Sequence, residues 1–237
     1  MICIQGFICA VPTANRAAFI DHARTAGEAF REQGLVAAAE CWGDDVPAGK
    51  VTSFPMAVKA GPDETVVFSW YLWPSKEVHD KVMQGPMDDP RLSPQTNPMP
   101  FDGKRVIFGA FEPVLELGSL CRGGYVDGFV VPVKRDRRAA FTEFARECDP
   151  VFIEHGANWI MEAWGVDVPE GKTTDFRRAV KAEPDEDVVF SWVQWPDRAA
   201  RDAGNQKIMN DPRMNDKEMP FDGKRLIFAG FEPVVEV

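Results

Sequence analysis

The chain repeats itself. A shift of about 120 positions lays its second half on its first with roughly half the residues identical, a match too long for chance and a period too long for a solenoid. Glu40 to Lys50, ECWGDDVPAGK, returns as Glu162 to Lys172, EAWGVDVPEGK. Glu64 to Pro74, ETVVFSWYLWP, returns as Glu186 to Pro196, EDVVFSWVQWP, and Met99 to Pro113 returns as Met219 to Pro233. The organisation read from this is one domain written twice: residues 1–117, a linker at 118–123, and residues 124–237. A linker that short spans at most about 20 Å, so the copies lie side by side.

A unit of about 115 residues buries roughly two-thirds of its unfolded surface, enough for a core of its own. The 237-residue chain carries a net charge of -10, which disfavours a phosphate-tracking surface, and nucleic acid is not an expected partner. No apolar stretch approaches the roughly 18 residues of a membrane helix, so no membrane association is expected. Ile2 to Val11 lacks the basic flank and cleavage site of a signal peptide. The five cysteines have no CxxC spacing and read as free thiols. A cytoplasmic protein is the expectation.

The repeat also acts as a filter, because a residue type that a two-fold site needs should recur. Cys41 faces Ala163 and Cys148 faces Ala26; His22 faces Phe144, His79 faces Arg201 and His155 faces Gln33. A symmetric His or Cys metal site is not expected, a Cys–His nucleophile is disfavoured, and no cofactor is expected. GxGxxG, Walker-type, GxSxG and HExxH patterns are absent from the sequence.

Each copy opens with a strand, Ile2 to Val11 or Tyr125 to Val133, and continues into a helix with apolar positions Ala18, Phe19, Ala23 and Phe30 at helical spacing. Asp149-Pro150 predicts a restarted turn with Asp149 as its cap. Gly34 and Gly156 predict the helix ends. Glu40 with Trp42, and Glu162 with Trp164, share a face of the next strand because strand period is two. Thr174 to Ala182 reads as an added strand in a hairpin with Val188 to Trp195. Ser75 and Asp197 then cap a second helix, and a final strand follows Met-Pro-Phe-Asp-Gly-Lys-Arg. The fold class is α+β: two ferredoxin-like βαββαβ repeats whose sheets cover each other, forming a fused dimeric α/β-barrel. Tethering replaces dimerisation with an effective concentration of order millimolar.

Trp164-Gly165-x-Asp167-Val168-Pro169-x-Gly171-Lys172, Phe190-Ser191-Trp192-x-x-Trp195-Pro196 and Met219 to Arg225 resemble the YbaA-like family of small bacterial proteins, a domain of unknown function. The resemblance spans nearly the whole chain, twice. It implies a dimeric α/β-barrel, here fused into a pseudo-dimer, and implies no activity. Copy two resembles the family pattern more closely, with Val126-Asp127-Gly128-Phe129 and Thr174-Asp175-Phe176-Arg177-Arg178; copy one has Gln5 for the Asp and Pro55-Met56 for the arginines. On that basis copy two is the half expected to keep a working site.

Glu40 and Glu162 are carboxylates in mid-strand that recur. Buried, each would be a general acid or base; exposed or paired, each would be structural. Trp42, Trp70 and Trp73, with Trp164, Trp192 and Trp195, suit either the walls of a small-molecule pocket or the packing between two sheets. Asp102 and Asp222 read as turn formers. Arg178 either faces a cavity and pairs with Glu162 or a substrate anion, or guards a sheet edge. Three functions compete. One is a module that binds a small organic ligand in a cavity between the sheets, lined by Glu40, Trp42, Trp70, Glu162, Trp164, Arg178 and Trp192. Another is a cofactor-independent monooxygenase- or isomerase-like enzyme, with Glu162 as acid or base, Asp127 assisting and Arg178 clamping an anion. The third is an interaction scaffold without a ligand.

Overall fold

The computed structural model of the chain describes residues 1–83, 89–214 and 217–237. Copy one runs β1 (Cys3–Pro12), α1 (Arg16–Glu32), β2 (Ala37–Asp45), α2 (Phe54–Ala57), β3 (Glu64–Trp73), α3 (Lys76–Met83) and β4 (Ile107–Gly118). Copy two repeats the order as β5 (Tyr125–Lys134), α4 (Arg138–Glu154), β6 (Trp159–Asp167), α5 (Phe176–Ala179), β7 (Glu186–Trp195), α6 (Arg198–Met209) and β8 (Ile227–Glu236). Within each copy the antiparallel strands lie in ferredoxin-like order, β4-β1-β3-β2 and β8-β5-β7-β6. The edges that each sheet leaves open are closed by the other copy: β2 pairs with β8 and β4 with β6. The result is one closed eight-stranded barrel, with no free sheet edge among the described residues.

Period-two alternation assigns every strand residue to the barrel interior or to the face under the helices. Ala39, Cys41, Phe68 and Trp70 point inward, as do Ala163, Phe190 and Trp192. Two stacks from opposite copies fill the interior: Phe68 on Phe190 at 4.5 Å between centroids, and Trp70 on Trp192 at 5.1 Å with planes 2° apart. Gly6 and Gly128 make room for them, since a Cβ on Gly128 would meet the Phe68 ring at 2.9 Å and one on Gly6 the Phe190 ring at 3.0 Å. The interior is not symmetric throughout. Trp159 packs edge-on against both stacked indoles, while its counterpart in copy one is Ala37.

Two local expectations need correction. Thr174 to Ala182 is not an added strand but holds the short helix α5. The Asp175 side chain accepts from the Arg178 backbone N–H at 2.7 Å, and Ser53 does the same for Met56 in copy one, so the capping residue overrides the extended reading. Asp149 caps nothing either, because α4 runs unbroken through Pro150. Gly34 and Gly156 end their helices at φ 106° and 109°, and the Ser75 and Asp197 caps form as read. Asp102 and Asp222 cap the turns before β4 and β8.

Candidate functional site

The faces of the sheets that lie under α1 and α4 carry the carboxylates. In copy one, Glu40 on β2 sits opposite Ser69 on β3 and receives its hydroxyl hydrogen bond. The Tyr71 hydroxyl, two residues along the same face, donates to the other carboxyl oxygen at 2.6 Å. Glu40 is 8% exposed, and burial, the dominant influence, pushes its carboxyl above the usual range against the opposing effect of Ser69 and Tyr71. This group forms the floor of a cavity of about 400 Å³ between sheet and helix. Phe7, Phe19, Phe30 and Phe101 supply its walls, and His22, bonded through Nδ1 to Asn97 Oδ1 at 2.8 Å, stands on its border. Cys9 also lines it, and burial raises its thiol well above the usual range.

Copy two repeats the plan with different chemistry. Glu162 on β6 sits opposite Ser191 on β7 and receives its hydroxyl hydrogen bond, but Val193 stands where copy one has Tyr71. The cavity is smaller, about 160 Å³, and Asp149 from α4 lines it with Glu162. Copy one has Gly27 at the position of Asp149. Burial first, then the neighbouring Glu162, drives the Asp149 carboxyl upward; burial also raises Glu162, against the opposing hydrogen bond from Ser191. Asp149 and Glu162 therefore form an interacting pair that resists double ionisation.

The residues singled out from the sequence divide between these places and others. Glu40 and Glu162 line the two cavities. Trp42 and Trp164 share their face but pack beside the cavities, under Phe19 and Phe141, with Arg16 and Arg138 over their rings. Trp70 and Trp192 lie on the opposite face, within the filled barrel, so the expected cavity between the sheets with Trp and carboxylate in one lining does not form. Trp73 and Trp195 belong to outer-face clusters. Asp127 is held by Arg201 at 2.8 Å and by the Trp195 indole N–H at 3.0 Å, a buried structural pair. Arg178 bonds the Gly171 carbonyl and Asp175, the cap of α5, and does not pair with Glu162. Arg105 and Arg225 clamp Glu64 and Glu186 through both nitrogens.

Sequence reading missed Ser69 and Ser191, although Phe-Ser-Trp recurs in both copies. It missed Tyr71, which fails to recur, and it took Asp149 for a cap. The usable signal for Asp149 was an acid in mid-helix where the other copy has glycine.

The family model described as "Protein of unknown function (DUF1428)" matches residues 3–103 and again 124–223. The chain belongs to that family. The uncharacterized protein YbaA of Escherichia coli K12 is 55% identical over 114 residues, 47% of this chain and 97% of YbaA. In three dimensions the chain resembles a provisionally named monooxygenase from Lactobacillus acidophilus, with a TM-score of 0.61 at 12% identity, covering 100% of this chain and 95% of that one. An anthrone oxidase-like protein gives 0.59 at 13% identity, covering 100% and 92%. At such identities the likeness shows the shared fold, a ferredoxin-like α/β-barrel. Among the described residues no helix is long and apolar enough to cross a membrane, and no three His, Cys, Asp or Glu side chains converge as a metal site.

Proposed function

We propose that the protein binds a small, largely aromatic molecule in the cavity between α1 and its sheet, with Glu40 and Tyr71 as the polar groups that orient it. The observation that carries this reading is the carboxyl–hydroxyl pair at the floor of both cavities, Glu40 with Ser69 and Glu162 with Ser191. A carboxyl buried without a cation is costly, and its retention in both copies points to use rather than packing. A volume of about 400 Å³ falls within the usual range for ligand pockets, and the lining is mostly phenyl rings with few polar groups. The ligand class that fits is an aromatic hydroxy or carbonyl compound.

A second reading uses the same groups for chemistry. Glu162, pushed upward by burial, would suit a general acid or base without a cofactor. Binding and catalysis separate under substitution. Glu162→Gln would abolish turnover and leave the copy-one cavity's ligand bound if the catalytic reading holds.

The binding reading is tested with 2-naphthol, followed by methyl NMR of Met99, which lines the copy-one cavity. Saturable shifts of Met99 that weaken in Tyr71→Phe support it. An unresponsive Met99 across 2-naphthol and a library of comparable phenols and ketones would contradict it.

A further inference from the structure

We propose that the copy-two cavity takes a small protonated amine, held by the carboxyls of Asp149 and Glu162 against aromatic walls. This rests on the reading that the helix–sheet cavities hold ligands, and adds a charge requirement to one of them. The two carboxyls reach the cavity from different elements, α4 and β6. Asp149 is only 8% exposed, and its Oδ2 has no hydrogen-bond partner among the described residues. Among the described residues no Lys or Arg lines this cavity, and the nearby Lys217 is bonded to Glu147. Among the described residues the other titratable group in the lining is the Cys148 thiol, raised by burial and so neutral.

Chemistry narrows the occupant. A bare divalent cation of the calcium or magnesium type prefers about six oxygen ligands, which two carboxyls and one serine among phenyl rings do not supply. An ammonium group presents three N–H donors and suits two carboxyls and the Ser191 oxygen. Phe129, Phe141 and Phe144 add faces that favour a cation. A cavity of about 150 Å³ accepts a benzene-sized molecule, and this one measures about 160 Å³. The feature is confined to copy two. At Gly27 in copy one, a Cβ would meet the Val237 side chain at 2.9 Å, so a second carboxyl there would require that side chain to move.

The test compares benzylamine with benzyl alcohol on the full chain by methyl NMR, with Met214 reporting on copy two and Met99 on copy one. At Met214 benzylamine should bind at least about tenfold more tightly than the alcohol, the scale of one charge-assisted hydrogen bond. The preference should disappear in Asp149→Asn, and in Asp149→Gly if the asparagine variant folds poorly, with the alcohol still bound. Equal affinities, a preference that survives both substitutions, or a silent Met214 overturns the proposal. Silence at Met214 with a responsive Met99 leaves the copy-one reading standing. Silence at both overturns this proposal, while the copy-one reading stands or falls with the 2-naphthol series at Met99.

Discussion

The two cavities are built on the same residues to the floor and diverge just above it. Both keep a strand glutamate beneath a serine hydroxyl. Copy one adds Tyr71 as a second donor and opens to about 400 Å³. Copy two replaces that phenol with Val193, adds the acid Asp149 and shrinks to about 160 Å³. A fused pseudo-dimer permits this, since each half can change its pocket without altering the other, whereas a homodimer must change both. The barrel interior teaches the opposite lesson. There Phe68 and Trp70 stack on their counterparts Phe190 and Trp192 from the other copy, so a change in one half is felt by the other, and the asymmetry is seen at Trp159, whose counterpart is Ala37.

The largest expected effect comes from giving copy one the residue of copy two. Tyr71→Val deletes a buried ring and a donor to a buried carboxyl, and should cost about 3 kcal/mol in urea unfolding. Val193→Tyr, the reverse exchange, should be tolerated far better because space is available beside Glu162. Equal penalties for the two exchanges would erase the distinction drawn between the cavities.

Next in size is Asp149→Ala. A buried carboxyl whose folded-state pKa is raised contributes most stability below its unfolded value near 4, and loses that contribution as pH rises through the folded value. With both carboxyls of the pair held above the usual range, the wild type should lose stability as pH rises from about 4 through the raised titrations of the pair. The alanine variant should be more stable than wild type by about 2 kcal/mol at about pH 8 and show no gain at about pH 4. A pH-independent difference would mean that Asp149 is not a buried acid.

Glu40→Gln should have the smallest effect, within about 1 kcal/mol at neutral pH, because the amide mimics a carboxyl that burial already holds toward its neutral form. A large loss in thermal melts would instead assign Glu40 to an ionised structural role.

Much of the architecture was legible from the repeat. Matches of the length of Met99 to Pro113 require a duplicated unit, and the alternation in Glu162-Ala-Trp164 placed carboxyl and indole on one face. Sequence could not say which face of β3 would meet that glutamate. Registering Ser69 opposite Glu40 sends Trp70 to the other side of the sheet, and a shift of one residue would have reversed the outcome. The added strand failed for a local reason: one capping oxygen on Asp175 decides a turn of helix where hydrophobic pattern alone suggests extension. Asp127 and Arg178 read as site residues because polar groups in a family motif look functional. Their partners, Arg201 and the Gly171 carbonyl, come close only in the folded chain.

The difference between the halves is tested most directly by carboxyl ¹³C NMR of Glu40, Asp149 and Glu162 across the pH range. The expected result is a single raised titration for Glu40, and two raised, mutually dependent steps for Asp149 and Glu162, the latter becoming a single step in Asp149→Asn. Three independent titrations near pH 4, as in free side chains, would contradict the assignment of these groups to closed cavities and with it the proposed binding sites.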